Sequence, residues 1–212
     1  IAMRQRCDEI DAALVLDLTQ SAGALLTDFK KIRPDFAAVA NYKWMLGPYS
    51  TGFLYVDPVY FEGQPLEEGW VTRQGGRNFA RLTENSETFE SGAIRYDMGE
   101  RANFALLPGV NEALRQLLEW DVASIETTLA ARNADLCKRL DTIGLKTVAT
   151  ENRGAHFIGA QLPAGTRDDL LTELAKEKVY LSERGGSLRI TPHLWNDDQD
   201  FDRLIDILRR LI

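Results

Sequence analysis

Two ionisable side chains stand where apolar runs stop. Ala12-Ala13-Leu14-Val15-Leu16 ends in Asp17, and Ala37-Ala38-Val39-Ala40 leads through Asn41 and Tyr42 into Lys43. Neither run alternates polar with apolar residues, so each reads as a strand buried on both faces. A lysine at the end of a buried strand is costly unless something uses or satisfies its charge. In open α/β sheets, ligands bind beyond the carboxyl ends of the strands. An acid and an amine at two such ends therefore mark the first place to look for a site.

The amine suggests a Schiff base with a carbonyl group, since such chemistry needs a lowered pKa and a semi-buried strand end can provide it. The acid suggests pyridoxal phosphate, whose pyridinium nitrogen needs a carboxylate partner. That pair keeps the ring protonated and able to draw electrons from a substrate carbanion. Gln20, three residues after Asp17, is placed to donate to the ring hydroxyl. Plainer readings exist for each: a solvated loop lysine, a turn or cap aspartate, and a surface glutamine.

The elements that must position these residues follow from pattern. Ile1 to Ile10 reads as the end of an amphipathic helix with Met3 and Cys7 on one face, which implies a segment upstream. Ala12–Leu16 and Asp35–Ala40 read as strands joined by a short crossover, which predicts a mostly parallel sheet. Gly52–Val56 follows a Gly47-Pro48 turn closely enough to be antiparallel to its neighbour. Asp57 to Ser91 is irregular and long, a pattern that is usually functional or disordered. Arg101–Trp120 and Val122–Ile143 keep helical spacing, with Pro108 bending or starting a helix. After Gly144 the pattern changes to strands at Lys146–Thr150, Ala155–Leu162, Val179–Leu181 and Ser187–Thr191. Between them, Thr166 to Asp169 resembles a capping box, and Asn196 or Asp197 caps a last helix.

Composition sets outer bounds. The 212 residues carry a formal charge of −7, with 44% hydrophobic and 27% charged residues. This is an ordinary globular composition without a nucleic-acid footprint. No stretch has the apolar length of a membrane span, and the start has no signal-peptide pattern. Cys7 and Cys137 lack metal-ligand or redox spacing, so free thiols in a cytoplasmic protein are expected. No metal site is expected.

The run from Val15 to Gly23, then Asp35-Phe36, Asn41-Tyr42-Lys43-Trp44, Gly47-Pro48 and Gly52-Phe53-Leu54-Tyr55, resembles the class V aminotransferase family of fold-type I pyridoxal-phosphate enzymes. That family includes cysteine desulfurases, kynureninases and several transaminases, and the likeness covers essentially the whole chain. It implies an α/β fold. Residues 1–120 would be the remainder of the cofactor-binding large domain, with a mainly parallel sheet and its amino-terminal part missing. Residues 121–212 would be the connecting helix and a small α+β carboxyl-terminal domain.

The resemblance also implies roles. Lys43 would hold pyridoxal phosphate as a Schiff base and then move the substrate's α-proton. Asp17 would pair with the ring nitrogen, and Gln20 would lie near the ring oxygen. Tyr42 would reach the cofactor phosphate, as in kynureninase-like members. Gly69-Trp70 resembles a loop whose tryptophan approaches the phosphate held by the partner subunit; otherwise Trp70 is a buried aromatic anchor. Leu188-Arg189-Ile190-Thr191-Pro192-His193 resembles the small-domain motif whose arginine, here Arg189, clamps the substrate carboxylate. The plainer reading of Arg189 is a cross-strand ion pair. His193 reads as structural, and His156 as a core or rim histidine.

Two departures from the family pattern stand out. The loop Ser182-Glu183-Arg184-Gly185-Gly186 has no cysteine where related desulfurases carry their nucleophile. Phe89-Glu90-Ser91-Gly92-Ala93 has Ala93 in place of a threonine that often touches the partner's cofactor phosphate, with Ser91 or Arg95 as replacements. The implied activity is amino transfer on an amino-acid or keto-acid substrate, in a homodimer with shared active sites and with this segment inactive alone. Kynureninase-like or C–S lyase chemistry, and a non-catalytic binding domain, are the alternatives.

Overall fold

The computed structural model of the chain describes residues 1–81, 83–84 and 86–212. Contacts divide it into two units, Ile1–Glu119 and Trp120–Ile212.

The first unit opens with helix α1 (Ala2–Glu9), and the side chain it buries is Arg4. The expected Met3 face is instead open, with Met3 65% exposed. The reason is an ion pair that hydrophobic spacing does not reveal. Arg4 Nη1 reaches Asp35 Oδ2 at 2.5 Å, and the same oxygen accepts the Leu14 N–H at 2.6 Å. Asp35 thereby ties α1 to the approach of strand β1 (Val15–Asp17). β1 starts later than the apolar run does, because the first residues bond elsewhere. The Ala12 N–H goes to Cys7, and the Leu14 N–H goes to a side chain.

Helix α2 (Phe29–Ile32) is one turn in the crossover, capped by the Asp28 side chain. Strand β2 (Phe36–Ala40) then runs parallel to β1, with Asp17 opposite Ala38. Strand β3 (Gly52–Val56) runs antiparallel to β2, as its short connection requires. The sheet order is β1-β2-β3. β1 is thus an edge strand, and Val15 is 65% exposed rather than buried on both faces, because the described residues leave its outer face uncovered.

The long irregular stretch is pinned from two sides. Phe36 of β2 packs on Tyr60 and Tyr96, and the Tyr96 hydroxyl donates to the Tyr60 carbonyl at 2.6 Å. Arg95 is buried and donates to the carbonyls of Glu90 and Gly63 and to the carboxylate of Glu62. Helix α3 (Leu107–Trp120) starts six residues after the expected Arg101. Asn103 takes the Leu106 and Leu107 N–H groups, and Pro108 sits in the first turn, where its missing N–H costs nothing.

The second unit opens with helix α4 (Val122–Thr142), capped by Asp121. Strands β4 (Lys146–Thr147), β5 (Ile158–Gln161), β6 (Ser182–Arg184) and β7 (Ser187–Ile190) form an antiparallel sheet in the order β4-β5-β7-β6. Helices α5 (Leu170–Lys176) and α6 (Asp198–Leu211) complete this α+β unit. One core joins Leu136 and Leu140 of α4, Ile158 and Ala160 of β5, Leu188 and Ile190 of β7, Leu174 of α5 and Leu208 of α6.

Two local expectations are corrected here. The Thr166–Asp169 capping box does not form, because Asp169 pairs with Arg167 and the Thr166 hydroxyl donates to Pro163. The strand expected at Val179–Leu181 lies three residues later. Gly185 and Gly186, both at positive φ, make a two-residue turn that fixes the β6–β7 register. Asp197, not Asn196, caps α6 and forms a capping box with Asp200. Among the described residues no helix is long and apolar enough to cross a membrane, and no group of three or more His, Cys, Asp or Glu is placed to hold a metal ion.

Candidate active site

The parallel pairing of β1 and β2 brings their carboxyl ends side by side. Asp17 is the last residue of β1, and Lys43 lies three residues beyond the last residue of β2. The loops that follow are locked together. Leu18 N–H donates to the Ala38 carbonyl at 2.8 Å, and Ala40 N–H donates to Thr19 Oγ1 at 3.0 Å. Gly23 sits at φ +91° against Trp44, where a Cβ would come within 2.2 Å of the Trp44 carbonyl oxygen. Only glycine allows this approach of the two backbones.

The Lys43 loop is closed by Asn41, which is fully buried. Its N–H donates to the Thr51 carbonyl at 3.0 Å, and its carbonyl accepts from Gly47 at 2.8 Å. The Asn41 side-chain amide donates to Thr51 Oγ1 at 3.1 Å, while that hydroxyl donates to the Pro48 carbonyl at 2.8 Å. Gly47 is again obligatory, since a Cβ there would fall 2.8 Å from Asn41 Cβ. Lys43 therefore rides on a turn whose two ends are fixed.

Electrostatics couple the acid to the amine. Asp17 lies below the usual aspartate pKa, first because the Thr19 hydroxyl and N–H hydrogen-bond its charged form, and to a smaller degree because Lys43 attracts it; burial opposes this. The Thr19 N–H reaches Asp17 Oδ1 at 2.9 Å. Lys43 is half-buried, and its Nζ stands 5.5 Å from the centroid of the Tyr42 ring. Tyr42 stacks on Tyr49 at 4.5 Å, which holds it at the mouth of the loop. Gln20 is exposed in the turn after β1.

Trp70 sits in a short turn (Trp70–Thr72), edge-on to Phe79 at 5.9 Å and 49% exposed. It is not a buried anchor. Nearby, Ser91 and Arg95 both hydrogen-bond Glu62, and the guanidinium groups of Arg73 and Arg95 lie 4.0 and 6.0 Å from the centroid of the Phe89 ring.

In the second unit, strand alternation separates Arg189 from the core. Leu188 and Ile190 point inward, and Arg189 lies on the opposite face over the Phe157 ring at 4.6 Å. The residues directly across from it are Gly159 and Ser182, neither of which is charged. His193 is buried and stacks on Trp195 at 4.1 Å, and burial holds its pKa below the ordinary histidine value. His156 is also buried. Thr19, Asn41 and Glu62 were not among the residues the sequence singled out. For the Thr19 N–H a signal exists: an aspartate side chain commonly accepts from the backbone two residues on.

The profile of the class-V aminotransferase family matches residues 2–193. The chain belongs to that family. A protein of Methanothermobacter thermautotrophicus named probable cysteine desulfurase is 32% identical over 220 residues, which covers 96% of this chain and 54% of that protein. The alanine–glyoxylate aminotransferase of Nostoc superposes with a TM-score of 0.70 at 20% identity, covering 99% of this chain and 55% of that one. A cystine C–S lyase variant, with glycine covalently linked to its pyridoxal-phosphate cofactor, superposes with a TM-score of 0.75 at 18% identity. That likeness covers 91% of this chain and 50% of that one. The fold is the α/β fold of these class-V and related enzymes. The chain spans about half the length of the curated relatives it matches.

Within the family frame, the Ala93 position gains meaning. Both residues expected to replace the threonine hydroxyl there are engaged within their own loop, Ser91 and Arg95 on Glu62.

Proposed function

We propose that the protein containing this chain is a pyridoxal-phosphate enzyme that transfers the amino group of an amino acid to a keto acid. One observation carries the reading most. An aspartate held in its charged form and a half-buried lysine stand at the carboxyl ends of two parallel neighbouring strands, close enough for the lysine to depress the acid's pKa. The donor set suits the cofactor: a carboxylate for the ring nitrogen, a primary amine for the aldehyde, and aromatic side chains beside them.

When bound, the cofactor supplies an electron sink for the carbanion left at the substrate's α-carbon. The chain's own residues do the rest. Asp17, held in its charged form, would pair with the ring nitrogen. Lys43 would hold the cofactor through its amine and would move the substrate's α-proton, first as base and then as acid. Arg189 offers a planar fork of donors to the substrate carboxylate. Gln20 would lie near the ring oxygen, and Tyr42 and Trp70 near the phosphate. Trp70 fits the segment that reaches a partner subunit, so the active form is a homodimer with shared sites.

Persulfide chemistry fits poorly. Cys137 is buried in α4, and burial pushes its thiol up, which keeps it protonated and unreactive. Cys7 lies on α1, and the β6–β7 hairpin that carries Arg189 has no cysteine.

The test is to load the full-length protein with pyridoxal phosphate and add amino acids in the absence of a keto acid. Amino transfer predicts stoichiometric keto-acid release with loss of the visible band, and turnover once a keto acid is supplied. Release of sulfide, or of a product cleaved beyond the α-carbon, would replace this reading with a lyase.

A further inference from the structure

Thr19 lies between the two strand ends and touches both. Its N–H donates to Asp17 Oδ1 at 2.9 Å, a bond that any residue but proline could make. Its hydroxyl is the specific part. Oγ1 accepts the Ala40 N–H at 3.0 Å, on the last residue of β2 and three residues before Lys43. A hydroxyl that accepts from Ala40 still has one proton to give. Asp17 is the acid beside it, and the hydroxyl contributes the largest share of that acid's lowered pKa. The charged group facing Asp17 from the other loop is Lys43.

We infer that Thr19 is a positioning residue: its N–H holds the Asp17 carboxylate while its hydroxyl ties the same turn to the last residue of β2. It thereby sets both the spacing of Asp17 from Lys43 and the aim of the carboxylate at the cofactor ring. This rests on the roles given to Asp17 and Lys43 above. A purely local role in closing the turn needs only the Thr19 N–H and predicts no effect on the acid. The hydroxyl bridge predicts that the acid and the neighbouring strand respond together.

The test uses the full-length apoprotein with Thr19→Val, which keeps the shape and removes the hydroxyl, and Thr19→Ser, which restores it. Three quantities are read: the Asp17 carboxyl titration by carbon-13 NMR, exchange of the Ala40 amide, and the dissociation constant of pyridoxal phosphate. In T19V, Asp17 should titrate closer to the ordinary carboxylate range and the Ala40 amide should exchange faster. Cofactor binding should weaken about tenfold, the scale of one hydrogen bond to a charged group. T19S should stay near wild type in all three. A folded T19V that matches wild type in Asp17 titration and cofactor affinity would overturn the inference, and so would a T19S as impaired as T19V. If T19V fails to fold, Thr19→Ala takes its place with the same expectations. A wild-type protein that binds no pyridoxal phosphate would sink the functional reading instead, and the Asp17 titration would still decide whether the bridge exists.

Discussion

Lys43 and Arg189 stand out in the sequence as candidates because each breaks a pattern. A charged residue at the end of an apolar run has a desolvation cost that asks for an explanation. Arg189 sits between Leu188 and Ile190, and the strand alternation that buries those two turns the guanidinium to the other face. That separation makes a clean prediction. Arg189→Ala should leave stability within about 1 kcal/mol, as for substitutions away from the core. It should raise KM for an amino-acid substrate by about 10- to 100-fold, the worth of a charge-assisted bidentate bond. Steady-state kinetics and a urea melt on the full-length protein check both. The Thr19 hydroxyl's bond to Ala40 and the place of Asn41 were not legible. Their roles depend on which backbone groups the fold brings within reach, and short polar side chains in loops carry no periodicity to signal it.

Elements were legible in kind and less so in extent. The parallel β1–β2 pair, the antiparallel β3 and the core-facing stripe of α6 follow from apolar runs and spacing. Their ends do not, because ends are set by local competition for backbone hydrogen bonds, as at Ala12, Asn103 and Gly185-Gly186. The buried Arg4–Asp35 pair was missed for a related reason: its partners are 31 residues apart, and neither follows a helical or strand period.

That pair gives a pH-dependent prediction. Burial raises the Asp35 pKa, but the Leu14 N–H and Arg4 lower it more, so its net shift is downward. A carboxylate depressed in the folded state contributes stability above its unfolded pKa and loses it as pH falls through the folded pKa. Arg4→Ala should therefore destabilise the protein near neutral pH, where Asp35 is charged and loses its partner. The gap from wild type should narrow on titration into the acid range, and urea melts across that range measure it. At the Gly23–Trp44 contact, Gly23→Ala adds a strained positive φ to a backbone clash. It should cost about 2 kcal/mol or more and weaken cofactor retention, because it pushes the Asp17 and Lys43 loops apart.

At the scale of the molecule, each of the two units has its own source of order. In the second, fully buried Leu188 and its neighbours close a single core over one face of the sheet. Leu188→Ala should cost about 2–5 kcal/mol, in contrast to the neighbouring Arg189→Ala. In the first, hydrogen-bonded loops rather than a broad core hold the strand ends. That is what a site built from loop residues on a rigid sheet requires. Family membership sets the fold, and the same fold serves amino transfer in one solved neighbour and C–S cleavage in another. The reaction must therefore be argued from the side chains, and in the proposed function Lys43 is the one on which every step would depend.

The most direct test is to incubate the full-length protein with pyridoxal phosphate, reduce it with borohydride and map the modified peptide by mass spectrometry. The account predicts a pyridoxyl group on Lys43 and none in a Lys43→Ala control. A protein that takes up no cofactor, or one that carries the adduct on another lysine with Lys43 unmodified, would contradict it.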